Sequence, residues 1–166
     1  MRNWEKRLDC PSGLLLTLIR FTGEYAIQAM IYLAEQDSDE PIMIGEIAKA
    51  YGIPQQFLAK IVQTLVKHRL MVAVRGRKGG VKLARDASEI YLPQIVAAIE
   101  GPAPEEEPCV FGLDACSDQE PCPLHHQWTV IRDEIRHMLE HEDLKKLAKR
   151  VSEKHLAMQN ILPVEG

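Results

Sequence analysis

The chain reads as mainly α-helical with one small β-hairpin: a winged helix-turn-helix followed by a cysteine-rich loop and a long C-terminal dimerisation helix. Three observations predict this. Two apolar-periodic segments, near 44–51 and 54–68, are joined by a tight turn at Gly52, the pattern of two helices meeting in a helix-turn-helix. Leu70 to Val74 and Val81 to Ala84 flank the basic, glycine-rich stretch Arg75-Gly76-Arg77-Lys78-Gly79-Gly80, which makes a hairpin placed where a wing belongs. Further on, Trp128, Ile131, Ile135, Met138 and Leu139 keep a helical stripe through a charged segment. Such a stripe outside a compact core needs a partner; packing back onto its own domain is the alternative. The expected organisation is an extension over 1–16, a winged-helix domain over 17–100, a cysteine-rich loop over 101–125, and the dimerisation and final helices over 126–166.

Residues 1–16 have no clear period and contain Pro11-Ser12-Gly13, and Cys10 among them reads as a free thiol. Thr22 or Gly23 then caps a helix to about Gln36, because Tyr25, Ile27, Met30, Ile31, Leu33 and Ala34 form one apolar stripe. Asp37 to Pro41 is a polar turn. In the next helix Ile47, Ala48 and Tyr51 recur at helical spacing, and Gly52 ends it. Pro54 suits the first turn of the helix that follows, whose apolar side is Phe57, Leu58, Ile61, Val62, Leu65 and Val66. Gln55, Gln56, Ala59, Lys60, Gln63 and Lys67 face elsewhere. After the hairpin, Leu92 to Glu100 forms a helix leading into the cysteine loop, and Asp143 to about Leu162 a lysine-rich final helix that flanks the rest.

Composition sets the class. An apolar share of 46% with 27% charged residues is ordinary for a globular chain of 166 residues, enough to bury one core. The apolar run Leu14 to Ile19 is too short to span a membrane and no small-residue cleavage site follows it, so the expected location is the cytoplasm, where thiols stay reduced. The net charge of −4 is unevenly spread: residues 1–90 carry 13 Lys and Arg against 10 Asp and Glu, whereas 91–166 carry 7 against 14. From Ile47 to Arg85 there are nine basic residues and no acidic one. A one-signed surface of that size attracts a polyanion by counterion release, although many charge runs are only solvated faces. With the wing, this points to double-stranded DNA: the glycines allow close backbone approach, and the arginines can contact phosphate or enter a minor groove. A phosphate-cradling nucleotide loop is the rival, but no Gly-Lys-Ser/Thr ending is present and no helix opens after the glycines. No enzymatic role and no small-molecule substrate is expected.

Cys109, Cys116 and Cys122 are separated by six and five residues, and His125 follows the last by three. Pro102, Pro104, Pro108, Pro121 and Pro123 keep regular structure out of the region. Clustered thiolates suit iron-sulfur clusters, zinc or copper(I), and an imidazole can fill a fourth position. Unbonded loop thiols or a disulfide are the bland alternatives. Structural zinc favours closer cysteine pairs, so these wider gaps lean toward a bulkier cluster. That leaves three classes: a cluster-controlled DNA-binding regulator, a zinc-stabilised DNA-binding protein, and a cluster-bearing electron carrier, against which the acid-free basic segment and the wing both speak.

The segment Phe21-Thr22-Gly23-Glu24-Tyr25-Ala26 with Ala29-Met30-Ile31-Tyr32-Leu33-Ala34, the wing Val72 to Leu83, Asp86-Ala87-Ser88-Glu89-Ile90, and Cys122-Pro123-Leu124-His125 with Trp128 behind it together resemble the IscR and NsrR group of winged-helix bacterial transcription regulators. The resemblance covers roughly Leu18 to Leu147. It implies a homodimer that carries an iron-sulfur cluster and binds near-palindromic operators. Gln56, Phe57 and Lys60 fall where the family's recognition helix reads bases, and Arg75 with Arg77 where its wing meets the minor groove. The chemistry agrees: glutamine can pair with adenine, lysine can donate to guanine, and an aromatic ring can lie on a thymine methyl. In IscR-like members a histidine placed like His125 completes a 2Fe-2S site. In NsrR-like members an acidic residue of the partner's first helix, matching Glu24, completes a 4Fe-4S site that nitric oxide destroys. His125 is favoured, because an acid near a helix start is common for dipole reasons alone.

Overall fold

The computed structural model describes residues 21–36, 38–76, 79–101 and 117–161. In chain order these form α1 (Phe21–Glu35), α2 (Ile44–Tyr51), α3 (Gln55–Lys67), β1 (Met71–Val74), β2 (Gly80–Leu83), α4 (Leu92–Glu100), α5 (His125–Glu140) and α6 (Leu144–Ile161), with a 3-10 turn at Ala87–Glu89. Helices α2 and α3 followed by an antiparallel hairpin make the expected winged helix. The extension over 1–16 lies outside the described residues.

Helix α1 lies at the centre because it is apolar on more than one side. Ala26, Ala29 and Met30 are fully buried, and Ile31 and Leu33 nearly so. The small side chains at 26 and 29 let neighbours approach closely, and α2, α3, α4, α6 and β2 all pack on this helix. Into the same core α3 sends Leu58, Ile61, Val62 and Leu65, and α4 sends Leu92, Ile95 and Ala98. Burying each of the larger of these side chains contributes about 1.5–3 kcal/mol.

The last helix does not flank this core; it belongs to it. Leu144 and Ala148 are buried, and Leu147 and Val151 pack beside them, while Lys145, Lys146, Lys149 and Lys154 stay exposed. The four apolar positions recur at three- and four-residue steps, a stripe that the lysine-rich composition concealed. Asp143 caps the helix by accepting from the Lys146 amide at 2.9 Å. The Leu144 amide donates to the Ile90 carbonyl at 2.7 Å, and Ser152 Oγ donates to Glu35 Oε1 at 2.8 Å.

The α2–α3 turn follows from Gly52, which sits at φ 65°, a left-handed conformation that ends α2. Ile53 then plugs into the core with 4% exposure. At the far end of α3, Arg69 takes φ 58° and the Leu70 amide donates to the Leu65 carbonyl at 2.9 Å. Leu70 therefore closes the helix, and β1 begins one residue later than the apolar run suggests.

The hairpin pairs Met71 with Leu83, Val72 with Lys82, Ala73 with Val81, and Val74 with Gly80. Met71 and Val81 bury its underside, while Val72 and Val74 are exposed on the other face. Ile42, ahead of α2, exchanges backbone hydrogen bonds of 2.9 and 2.8 Å with Val81, so the wing is stitched to the helical head along one edge. That stitch explains Gly80. A Cβ there would lie 2.3 Å from the Ile42 carbonyl oxygen, with backbone rather than a movable side chain in the way. Gly80→Ala should push Ile42 off Val81 and lower stability by about 1–3 kcal/mol in a urea titration; an unchanged midpoint would show that this edge carries no weight.

Candidate nucleic-acid interface and cysteine loop

The outer side of α3 is polar and open. Gln56, Lys60, Gln63 and Lys67 are all exposed along it. Phe57 joins them: it was expected on the apolar side, yet it is 39% exposed. Its ring meets Tyr25 edge-on, with centroids 5.8 Å apart, because the first turn of α3 projects past the core and rests on the start of α1. The three side chains expected to read bases, Gln56, Phe57 and Lys60, thus share one exposed surface.

At the wing, Arg75 and Gly76 are exposed, and Gly76 takes φ 117°, a conformation open to glycine but not to most residues. Arg77 and Lys78 lie outside the described residues. Gly79 and Gly80 are half-buried, and each has backbone carbonyls where a Cβ would go. Their lack of a side chain is already required by the hairpin itself.

The basic run divides into two groups. Arg85 serves the fold: it donates to the Arg69 carbonyl at 3.3 Å, the Glu89 carbonyl at 3.2 Å and Gln94 Oε1 at 2.9 Å. Lys82 lies 3.3 Å from Asp39 and ties β2 to the α1–α2 loop. Lys49, Lys60, Lys67, Arg69 and Arg75 remain exposed, so positive charge surrounds the outer side of α3 and the base of the wing.

Of the four candidate metal ligands, Cys122 and His125 are described, and Cys109 and Cys116 lie outside the described residues. Cys122 is half-buried. The His125 amide donates to the Cys122 carbonyl at 3.0 Å, closing a single turn that starts α5. This turn sets the two side chains at its two ends. The His125 ring is buried, 3% exposed, and its Nε2 lies 2.8 Å from Asp118 Oδ1. Asp118 was not singled out by its sequence, since an acid in a polar loop carries no signal of its own. Among the described residues no group of three or more metal-type side chains gathers. Thiolate and imidazole donors on one turn nevertheless suit a soft metal or an iron-sulfur cluster. Glu24, the alternative ligand, is half-buried in the first turn of α1, beside Tyr25.

Helix α5 leaves part of its apolar seam uncovered in the single chain: Trp128 and Ile135 are half-buried, and Leu139 packs against the core. Leu124, Trp128, Ile131, Ile135 and Met138 alternate steps of four and three residues, a heptad pattern. Leu124 is 41% exposed, Ile131 52% and Met138 58%. No helix among the described residues is long and apolar enough to cross a membrane.

Comparison with known proteins agrees with this architecture. The chain is 35% identical over 111 residues to the HTH-type transcriptional regulator NsrR of Oceanobacillus iheyensis, covering 67% of this chain and 75% of that one. It is 28% identical over 144 residues to the regulator IscR of Photorhabdus laumondii, covering 87% and 82%. Its fold matches the solved structure of CymR, the global cysteine regulator of B. subtilis, with a TM-score of 0.67 and 28% identity over 80% of this chain and 96% of that one. Residues 19–150 match the family model Rrf2, described as an iron-dependent transcriptional regulator. The chain is therefore a winged-helix transcriptional regulator and belongs to the Rrf2 family.

Proposed function

We propose that the chain is a homodimeric regulator whose affinity for near-palindromic DNA operators is set by an iron-sulfur cluster, which Cys109, Cys116, Cys122 and His125 would hold. The observation that carries this reading is the buried His125, fastened to Cys122 through one backbone turn at the start of α5. A carboxylate on the ring of a buried histidine is also the arrangement in which ligand histidines are commonly held. The N-terminal end of α5 adds its partial positive charge beside the negative thiolates. The donor set favours a 2Fe-2S cluster, which bound there would supply a charge and a coordination state that change with redox conditions or iron supply.

The rest of the molecule fits that role. The exposed Leu124, Ile131 and Met138 of the α5 seam support a dimer, in which two copies of α3 are presented to successive major grooves. Gln56, Phe57 and Lys60 read base edges, and Arg75, Gly76, Arg77, Lys78, Gly79 and Gly80 bring the wing to the backbone and minor groove. Arg75→Ala should weaken binding to all duplexes and reduce the salt slope by about one unit. Gln56→Ala should instead relax preference at one half-site position, at a cost of about 1–3 kcal/mol. Operator preference unchanged in Gln56→Ala would place the wrong face of α3 in the groove.

A second reading is a 4Fe-4S repressor sensing nitric oxide, with Glu24 of the partner as fourth ligand. The Tyr25–Phe57 contact favours it, because it links the turn bearing Glu24 directly to α3. Anaerobic purification followed by iron, sulfide and zinc analysis separates the possibilities. Coloured protein that loses its cluster in His125→Ala and keeps it in Glu24→Ala is expected. The reverse pattern supports the second reading, and colourless protein with stoichiometric zinc contradicts both.

A further inference from the structure

The end of α5 carries a pair of histidines that DNA binding does not use. His137 and His141 are four residues apart, so they rise one above the other on one side of the helix. Both are exposed. Their rings stack nearly parallel, with 23° between the planes and centroids 4.2 Å apart. Neither belongs to the apolar stripe of Leu124, Trp128, Ile131, Ile135 and Met138, and helical rotation puts the pair on a flank of α5 away from that stripe and from Leu139.

His141 Nδ1 lies 2.8 Å from the His137 carbonyl oxygen. A carbonyl accepts and cannot donate, so Nδ1 carries the proton and the neutral ring keeps its lone pair on Nε2. Among the described residues the His137 ring makes no hydrogen bond, and the terminal torsion of a histidine is broad enough to turn a nitrogen toward the same point. Metal–imidazole bonds are about 2.0–2.1 Å long, so two nitrogens on one ion lie within about 4 Å of each other. The stacked rings already have that separation.

Two histidines at this spacing on a helix can grip a borderline divalent ion from one side. The surroundings favour a cation: the pair sits at the C-terminal end of α5, where the helix dipole is negative, and exposed Glu134 and Glu140 lie within one turn of His137. Among the described residues no third ligand-type side chain completes a group, so water would fill the remaining positions and the ion would exchange readily. We propose that His137 and His141 bind one divalent ion of the zinc, nickel and copper class, which clamps the last turn of α5. That turn runs into the junction with the head, where the Leu92 amide donates to the Glu142 carbonyl at 3.3 Å and the Leu144 amide to the Ile90 carbonyl at 2.7 Å. The site uses neither Cys122 nor His125, which lie at the other end of the helix.

The test is a zinc titration of full-length protein prepared anaerobically, with histidine labelled by 15N and the imidazole signals followed by NMR. Cysteine thiols also take zinc, and the labelled rings report the histidine pair apart from them. In the wild type the His137 and His141 signals should move together to metal-bound positions below millimolar zinc, with His141 bound through Nε2. Hydrogen exchange at the amides of the last turn of α5 should slow over the same range. In His137→Ala the His141 signal should need about tenfold more zinc, because the second donor no longer supplies its high effective concentration. Signals of His137 and His141 that stay in place up to millimolar zinc, or a His141 signal that moves at the same zinc concentration in His137→Ala as in the wild type, would overturn the proposal.

Discussion

The burial of α1 is the constraint on which the other elements depend. Ala26, Ala29 and Met30 are fully enclosed, so α1 cannot shift without opening contacts to α3 on one side and α4 and α6 on the others. Close-packed interiors transmit such displacement rather than absorb it. The outer side of α3 is consequently held at a fixed angle to the wing, which is itself stitched to the head through Ile42 and Val81.

Helix α5 stands apart from that core. It follows the cysteine loop, begins at the buried His125, and carries Ile131 and Met138 largely exposed. Its far end rejoins the core through Glu142, Asp143 and Leu144, where the Leu92 amide donates to the Glu142 carbonyl. In the proposed dimer, a helix that joins the core at its far end and exposes Ile131 and Met138 would set the distance between two copies of the head. On the proposed reading, loss of the ligand at His125 releases the start of α5, and the separation of the two α3 helices changes. A two-fold operator has half-sites about one helical turn apart, so a small rotation is enough to lose contacts.

Much of this was legible in the chain. Gly52 and Pro54 mark the α2–α3 turn, and the apolar period places α4 at the observed bounds, because caps and periodicity are local signals. Tertiary effects were not legible. The apolar stripe of α6 was hidden by its lysines, and Leu70 continues an apolar run but ends a helix, since both depend on what the segment packs against. Gly80 reads like a residue for DNA approach, yet the nearby Ile42 carbonyl already excludes a side chain. Phe57 counts as apolar by periodicity but is exposed, being at the first turn of its helix. Arg85 was counted among the basic residues although its hydrogen bonds are spent on carbonyls and Gln94. Asp118 meets His125 only because the loop returns it there, a contact seven residues apart that no spacing rule anticipates.

The central claim is that the cluster governs how the dimer engages its operator. The direct measurement is fluorescence anisotropy under anaerobic conditions, using a near-palindromic duplex selected from random sequence. Binding is compared for the same preparation before and after cluster removal, with the oligomeric state followed by sedimentation. The account predicts that the protein remains dimeric and that affinity for the selected duplex changes about tenfold or more, while salt-sensitive binding to unrelated duplexes is retained. Equal affinity for the selected duplex with and without the cluster would contradict it.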